Sequence, residues 1–328
     1  MLRLPCLPLT QCRARFARLT AGRSDLCFIP SAEFERAARM RGLTPAQLRL
    51  HGLPVRPAFA HQRKISSPAK LAALADSLGL LPDRKTVLVV GGGDGVGNLG
   101  SIVVALGHRL AERNAAIGGH GAQMVVICGK NHRLRQELRE RDWGPHLHVV
   151  VEGFVTRMPD YMTIADTIVT KAGPGTIAEA CCCGLPIMIS GYLPGQETGN
   201  VDFVVNGGFG DYSSKPERIA ATVSSWLEDD RLLQQMSERS LAASRPGATD
   251  AIADDIATLV QSTDGAAPAP GAYRARARAL GMMSPLSASA SAPSDSHRGR
   301  APAPRPLGHS DVPRQPTPTP AEFASAGI

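Results

Sequence analysis

Residues 167–180 read TIVTKAGPGTIAEA, and this stretch decides the fold class of the chain. Its first part, Thr167–Thr170, is short and rich in β-branched residues, which predicts a buried strand. Gly173 and Pro174 then break the chain, and Thr176 opens a helical pattern. A buried strand that leads directly into a helix is the building unit of an α/β fold.

The same strand-to-helix step recurs along the middle of the chain. The other predicted strands are Thr86–Val90, Gln123–Cys128, Leu147–Glu152 and Pro186–Ser190. The helical patterns between and after the strands cover Leu99–Arg113, His132–Arg141, Pro159–Ala165, Pro216–Leu227 and Arg231–Ala243. This alternation predicts a Rossmann-like parallel sheet with helices on both faces. Such sheets bind ligands outside the carboxyl ends of their strands, so the loops there are the candidate sites.

The loop at 91–97 has the sequence GGGDGVG and follows the first of these strands. Glycines such as Gly93 and Gly95 let backbone amides approach a phosphate, and the helix that follows presents its positive end there. The spacing matches neither a strict dinucleotide fingerprint nor a P-loop. A phosphate site and a simple tight turn between strand and helix therefore both stay open.

A second candidate is the loop with Gly173, Pro174 and Gly175, which leads into Thr176 and Glu179. One interpretation is structural, because Thr176 and Glu179 have the [ST]-x-x-E spacing of a capping box. The other is that the end of the helix faces a pyrophosphate. Glu179, one turn into the helix, would then accept hydrogen bonds from two ribose hydroxyls, since a carboxylate offers two acceptor oxygens to a vicinal diol.

Two further loops carry weaker signals. The polar segment GYLPGQETGN follows an apolar strand, and its Gln196, Glu197 and Asn200 have the donors and acceptors that sugar hydroxyls need. An ordinary surface loop explains this segment equally simply. Phe154 and Val155 also follow a strand, and their free backbone groups could contact the edge of a base. The alternative for this pair is an apolar anchor in the core.

Composition limits the classes of function. Of the 328 residues, 43% are hydrophobic and 20% are charged, which suffices for a sizeable core. No apolar run is long enough to cross a membrane as a helix. The seven cysteines are too few for a disulfide scaffold, and no Cys-x-x-Cys pair favours zinc. Because no Asp-x-Asp triplet is present either, we assign no metal ligand and no cofactor.

Charge and composition divide the chain into three parts. Residues 1–64 carry a net charge of +9, residues 65–263 carry −5 and residues 264–328 carry +3. The acidic middle argues against a nucleic-acid partner, and the basic ends favour solubility or contact with an anionic membrane surface. The part from 264 onward holds 11 of the 26 prolines, which predicts disorder. The first 24 residues contain five Arg and no acid, which is typical of a transit segment or of a basic strand or loop.

Four loops together resemble the carboxyl-terminal domain of glycosyltransferase family 28, namely residues 91–97, 153–158, 171–184 and 195–200. Within that family, the monogalactosyldiacylglycerol synthases of plants and algae are especially similar to this chain in two segments, KAGPGTIAEA and GYLPGQETGN. The upstream segment RLHGLPVRPAF is similar to them as well. The resemblance runs from about Leu26 to Val260 and implies a GT-B architecture, in which two Rossmann-like domains face a cleft. Residues 65–263 would be the UDP-sugar-binding donor domain. Residues 1–64 would be a linker and a remnant of the amino-terminal acceptor domain, because only 55 residues precede Arg56.

The resemblance implies transfer of galactose from UDP-galactose to 1,2-diacylglycerol with inversion, at the chloroplast envelope, by a peripheral membrane protein. The donor-binding residues it implies are, for UDP, Gly93, Gly95, Phe154, Val155, Gly173, Pro174, Gly175, Thr176 and Glu179, and, for the sugar, Gln196, Glu197 and Asn200. No position matches the family's catalytic base, so none is assigned. Two alternatives stay open: a related lipid glycosyltransferase that uses UDP-glucose or UDP-N-acetylglucosamine, and a non-catalytic UDP-sugar-binding half that needs a partner.

Overall fold

The computed structural model describes residues 25–61, 67–91, 98–118 and 121–264. Within these ranges the strands are β1 (Cys27–Ile29), β2 (Leu48–Leu50), β3 (Lys85–Val90), β4 (Ala122–Ile127), β5 (His148–Glu152), β6 (Thr167–Lys171), β7 (Ile187–Gly191) and β8 (Gly210–Tyr212). Strands β3 to β8 form one parallel sheet in the order β5-β4-β3-β6-β7-β8. The five strands predicted from apolar runs are all present, with ends that differ by at most one residue.

The helices in the same ranges are α1 (Ala32–Arg39), α2 (Pro57–His61), α3 (Pro68–Ser77), α4 (Leu99–Ala116), α5 (His132–Glu140), α6 (Met158–Ile164), α7 (Pro174–Cys183), α8 (Thr198–Asn206), α9 (Pro216–Glu228), α10 (Asp230–Ala243) and α11 (Ala248–Asp264). Alternate residues of β3 belong to different cores: Val87 and Val89 lie with α4 and α9, whereas Leu88 lies with α6 and α7. The sheet is therefore covered by helices on both faces, as predicted.

The order of the strands places a crevice in the middle of the sheet. From β3 the chain moves outward through β4 to β5, then returns to β6 beside β3 and moves outward again to β8. Val87 of β3 is paired with Thr167 of β6, so these two neighbours mark the point where the winding reverses. Loops leave such a switch point in opposite directions and open a ligand-binding crevice at the carboxyl ends. The carboxyl ends of β3, at Val90, and of β6, at Lys171, border it.

The chain before the large sheet forms a smaller structure. Strands β1 and β2 pair in parallel, and α1 covers them with a separate small core. Segment 51–56 then runs to the last helix, α11, where the Thr249 hydroxyl accepts from the Val55 amide at 3.0 Å and donates to the Val55 carbonyl at 2.7 Å. His51 Nε2 lies 2.7 Å from a carboxylate oxygen of Asp255. These contacts fix segment 51–56 against α11. Phe59 of α2 is completely buried in the core that also contains Leu88 of β3.

Several expectations need correction. Helix α7 begins at Pro174 rather than Thr176 because Gly173 already serves as its N-cap. The polar segment up to Asn200 is not loop throughout, since α8 begins at Thr198. Helix α11 reaches Asp264, so a tail without regular structure cannot start there. Strand β8 and helix α11 lack a long apolar run or a clear stripe and were not predicted.

Other expectations fall outside the residues that the structure describes. They are the phosphate loop with Gly93 and Gly95, the transit segment at 1–24 and the disordered tail beyond 264. Among the described helices, none combines the length and the apolar character needed to cross a lipid bilayer.

Candidate functional site

The start of helix α7 is open to a ligand. Gly173 is its N-cap, Pro174 is its first residue, and no side chain of the described residues caps this end. A Cβ atom added at Gly173 or Gly175 would meet no atom of the described residues within 4 Å, so neither glycine is packed against that part of the chain. Exposed backbone amides at the positive end of a helix form an anion site. The predicted capping box is wrong, because Thr176 is the third residue of the helix and not its N-cap.

Glu179 lies on α7, one and a half turns after its start, and its side chain is only 20% exposed. Its Oε1 atom accepts from the Nε and Nη2 atoms of Arg56 at 3.3 and 3.2 Å. Burial raises the pKa of the Glu179 carboxyl, and the charge and hydrogen bonds of Arg56 oppose that increase. The carboxylate therefore sits in a partly desolvated position with one cation beside it.

Arg56 is the site residue that the sequence did not reveal. It precedes α2, and its guanidinium lies 4.9 Å from the centre of the Phe59 ring, a distance typical of a cation–π contact. The side chain is 58% exposed, so it lines the open side of the site. Arg56 and Glu179 are 123 residues apart, and the only available signal was the resemblance of RLHGLPVRPAF to the monogalactosyldiacylglycerol synthases.

The loop after β5 carries the two residues predicted at the base. Phe154 is 74% exposed, whereas Val155 is partly buried against the core that includes α6 and α7. The preceding Gly153 lies over the Arg135 side chain, at about 3.4 Å from an added Cβ atom. Arg135 in turn pairs with Glu152 at 3.5 Å. The side chain of Val155 thus anchors the loop in the core. The contact of its backbone with a base stays a prediction.

The loop after β7 is shaped by its own polar groups. The Leu193 amide donates to Oε2 of Glu197 at 2.9 Å, and Gly195 has a φ of +79°, which few other residues adopt. Gln196 is exposed to solvent. Asn200 is buried, and its side-chain amide donates to the Ala172 carbonyl at 2.8 Å. Contact of these residues with a sugar stays a prediction, and Asn200 has in addition a structural role.

Two of the predicted loops are tied to each other. Ala172 stands between β6 and α7; its amide donates to the Gly191 carbonyl at the end of β7 at 2.8 Å. Together with the bond from Asn200, this holds the start of α7 beside the segment with Gln196 and Glu197. The structure thereby brings the predicted diphosphate end and the predicted sugar loop to one edge of the sheet. No group of three or more His, Cys, Asp or Glu residues in the described part of the chain could hold a metal ion.

The chain matches the family model "Glycosyltransferase family 28 C-terminal domain" over residues 86–252, about half of its length. It is 41% identical over 236 residues to the chloroplastic monogalactosyldiacylglycerol synthase of Spinacia oleracea, covering 72% of this chain and 44% of that protein. It is also 41% identical over 238 residues to monogalactosyldiacylglycerol synthase 3 of Arabidopsis thaliana, covering 72% of this chain and 49% of that protein. The chain thus spans less than half the length of these relatives.

Solved structures share the fold at low sequence identity. The S. aureus MnaA–UDP structure superposes with a TM-score of 0.54 at 16% identity, covering 73% of this chain and 61% of that one. The structure of UDP-GlcNAc 2-epimerase from Neisseria meningitidis bound to UDP-GlcNAc superposes with a TM-score of 0.54 at 15% identity, covering 72% of this chain and 62% of that one. At these identities the likeness shows the fold alone. The predicted fold class, a Rossmann-like parallel sheet of the kind found in GT-B donor domains, is confirmed.

Proposed function

Because this chain belongs to glycosyltransferase family 28, we propose that it is the donor-binding half of a lipid galactosyltransferase. The donor is UDP-galactose, the acceptor is the free hydroxyl of 1,2-diacylglycerol, and the product is a β-galactolipid. The relatives at about 40% identity support this choice of donor and acceptor over the family's other sugars and lipids.

The observation that carries the proposal is the position of Glu179 relative to the open end of α7. The helix end, with Gly173 and Gly175, suits a diphosphate, and a carboxylate one and a half turns further on suits a ribose diol. Val155 then contacts uracil through its backbone, with exposed Phe154 beside it. Gln196, Glu197 and Asn200 line the sugar side, next to Pro174 and Thr176.

The reaction follows from this arrangement of donor groups. The acceptor oxygen attacks the anomeric carbon of galactose, the bond from that carbon to the UDP oxygen breaks, and configuration inverts. The acceptor proton passes to a base that none of the residues named here supplies. The amides and the positive end of α7 stabilise the negative charge that develops on the departing diphosphate.

We place the protein at the chloroplast envelope as a peripheral membrane protein that contacts anionic lipids through its basic ends. The relatives named chloroplastic support the compartment, and the charge of +9 on residues 1–64 supports the surface contact. A preference for UDP-glucose or UDP-N-acetylglucosamine would identify a related lipid glycosyltransferase instead.

Isothermal titration calorimetry tests the donor site directly. We expect the purified chain to bind UDP with a chelator present, because amides and a helix end replace a metal. Glu179→Gln should weaken UDP about tenfold or more, since a hydrogen bond to a charged group contributes about 1.5–3 kcal/mol. Glu137→Gln is the matched control, because Glu137 pairs with Arg133 on the exposed face of α5.

Three results would contradict the proposal. The first is UDP binding that appears only with magnesium or manganese. The second is an equal loss of UDP affinity in Glu179→Gln and Glu137→Gln. The third is tighter binding of UDP-glucose or UDP-N-acetylglucosamine than of UDP-galactose. The last result would leave the nucleotide site in place and change only the sugar.

A further inference from the structure

The loop between β7 and α8, residues 192–197, is held together by its own hydrogen bonds. The Leu193 carbonyl accepts from the amides of Gln196 and Glu197 at 3.1 and 2.9 Å, and the Leu193 amide donates to the Glu197 carboxylate at 2.9 Å. Leu193 is 58% exposed, so its side chain does not seat the loop on the core. The direction in which the loop leaves the sheet therefore depends on its attachments at either end.

Tyr192 is the attachment on the side of β7. It follows that strand directly, and its half-buried ring packs on the core that includes α6 and α7. The ring of Tyr212, the last residue of β8, meets the Tyr192 ring edge to face, with centroids 5.3 Å apart and 71° between the ring planes. Aromatic pairs favour this geometry because the positive edge of one ring faces the negative face of the other. The attachment on the side of α8 is the buried amide of Asn200.

We propose that Tyr212 is a positioning residue for recognition of the donor sugar. Its ring fixes Tyr192, and Tyr192 fixes the direction of the loop. Gln196 and Glu197 are thereby presented to the hydroxyls of the galactose. The inference rests on the proposed function, since it assumes that a UDP-sugar is bound at the start of α7. Tyr212 itself does not touch the sugar in this arrangement.

The backbone of Tyr212 is fixed on both sides. Tyr212 is paired with Ile189 of β7, and the amide of the next residue, buried Ser213, donates to the Ile189 carbonyl at 3.0 Å. Helix α9 begins shortly afterwards at Pro216, and its Ile219 is completely buried. The Tyr212 ring therefore extends from a backbone that the sheet holds before it and a packed helix holds after it. Such a ring can restrain the less firmly packed loop beside it.

Calorimetry with two ligands tests the inference. It would compare UDP and UDP-galactose binding to the wild type, Tyr212→Ala and Tyr212→Phe. We expect Tyr212→Ala to weaken UDP-galactose about two- to tenfold, the range that the energy of one edge-to-face pair gives, and to change UDP affinity by less than about twofold. Tyr212→Phe keeps the ring and should bind both ligands as the wild type does.

Two further variants complete the comparison. Phe203→Ala is the matched control, because Phe203 and Phe209 form a similar edge-to-face pair, 5.4 Å apart at 76°, away from the loop. It should leave the ratio of the two affinities unchanged. Tyr212→Leu keeps an apolar side chain without a ring, so it should show the same ligand preference as Tyr212→Ala with a smaller loss of melting temperature.

Hydrogen exchange reports on the loop without any ligand. We expect the amides of Gln196 and Glu197 to exchange several times faster in Tyr212→Ala and Tyr212→Leu than in the wild type, because the loop opens more often. Their exchange in Tyr212→Phe and in Phe203→Ala should match the wild type. This measurement separates a positioned loop from a general loss of stability.

The outcomes separate this inference from the proposed function. If the wild type binds UDP and folded Tyr212→Ala or Tyr212→Leu binds UDP-galactose equally well, the positioning role is overturned while the donor site stands. Equal losses for both ligands, unchanged exchange of the loop amides, or the same effects in Phe203→Ala would also overturn it. Failure of the wild type to bind UDP at all would overturn both.

Discussion

Glu179 is a titrating group whose charge depends on its neighbours. Burial raises the pKa of its carboxyl, and Arg56 is the cation that opposes this rise. On its own helix, burial also raises the pKa of the Cys181 and Cys183 thiols, each to about 12, so both stay neutral near pH 7. The charge state of Glu179 is therefore set by burial and by Arg56 rather than by other charges on α7.

This sets the direction of a pH dependence. Ribose hydroxyls donate to the ionised carboxylate, so binding is present above the raised pKa of Glu179 and is lost as the pH falls through it. We expect the affinity for UDP-galactose to decrease on acidification at a higher pH than an ordinary glutamate would give. UDP-galactose is the suitable ligand because its diphosphate is a diester and keeps its charge over this range.

Calorimetry over a pH series measures the effect, with Glu179→Gln as the control. The variant should bind weakly at every pH and lack the decrease that the wild type shows. Parallel profiles for the two proteins would mean that another group controls the pH dependence and that Glu179 does not meet the ribose.

At the scale of elements, the sheet edge that carries the site depends on Asn200 of α8. Its buried amide joins α8 to the loop between β6 and α7 at Ala172. We expect Asn200→Ala to leave the Ala172 carbonyl without this partner and to lower the free energy of unfolding by about 1–3 kcal/mol. Because that loop positions the start of α7, the affinity for UDP should fall together with the affinity for UDP-galactose.

Comparison of the two ligands decides between the roles of Asn200. A loss confined to UDP-galactose would support direct contact with the sugar, as the resemblance implies, and would contradict a role through the loop. Gln196→Ala is the matched comparison, since Gln196 is exposed in the same segment and should affect UDP-galactose alone.

The opposite edge of the sheet contains a polar contact of a different kind. Asp166 precedes β6, and its Oδ2 accepts from the amide of buried Thr86 in β3 at 2.6 Å. Burial raises the pKa of this carboxyl, which the Thr86 bond and Lys85 oppose. Its contribution to stability is therefore fully present below the unfolded pKa and is lost as pH rises through the folded pKa.

We expect Asp166→Ala to destabilise the chain by about 1–3 kcal/mol, because it leaves a buried amide without its acceptor. Asp166→Asn keeps an acceptor oxygen without the charge, so it should cost less at pH 7 and remove the pH dependence. Thermal unfolding measures both changes, and UDP affinity should not change in either variant because the site lies at the other end of the strands. Weakened UDP binding by folded Asp166→Asn would contradict this separation.

These elements also show what the sequence could predict. Strands β3 to β7 were recognisable because each is a run of apolar, mostly β-branched residues that ends near a glycine or at a polar turn. Strand β8 has only Gly210, Asp211 and Tyr212, and it is held by pairing with β7 rather than by its own pattern. Propensity could not identify it, because tertiary contact decides its conformation.

Some residues of the candidate site could likewise be predicted from the sequence, and others could not. Glycines and a carboxylate around α7 could be found by their position after a strand, since parallel topology fixes where such loops lie. The Arg56–Glu179 pair could not, because its partners come from distant parts of the chain and meet only after α2 and α11 have packed. The interpretation of Thr176 and Glu179 as a capping box was wrong because the helix already begins at Pro174, with Gly173 as its N-cap. The spacing of two residues alone cannot show where a helix begins.

For the whole molecule, segment 51–56 is the link between the small β1–β2 unit and the donor site. Its His51 and Val55 are bound by α11, and its Arg56 reaches Glu179. Any rearrangement of that unit relative to the large sheet would act on this segment. The Arg56–Glu179 contact therefore connects the segment after β2 to α7, where we propose that the donor binds.

The connection bears on transfer itself, which needs more than a bound donor. The acceptor hydroxyl must be held near the anomeric carbon, and a base must take its proton. This chain spans 44–49% of the lengths of the two relatives compared above, and no base is assigned within it. We expect the 328-residue chain alone to bind UDP-galactose but to transfer little or no galactose to diacylglycerol.

A radiolabelled UDP-galactose assay with diacylglycerol vesicles makes the comparison, run on this chain and on a fusion that carries a family acceptor domain ahead of residue 25. We expect galactolipid from the fusion only, and a sharply reduced yield from the same fusion with Glu179→Gln, which shows that this donor site is used. Robust galactolipid from the unfused chain would overturn the expectation and would mean that its own residues hold the acceptor and supply the base. Free galactose without galactolipid from the fusion would mean that water reaches the anomeric carbon, and that the acceptor is not diacylglycerol.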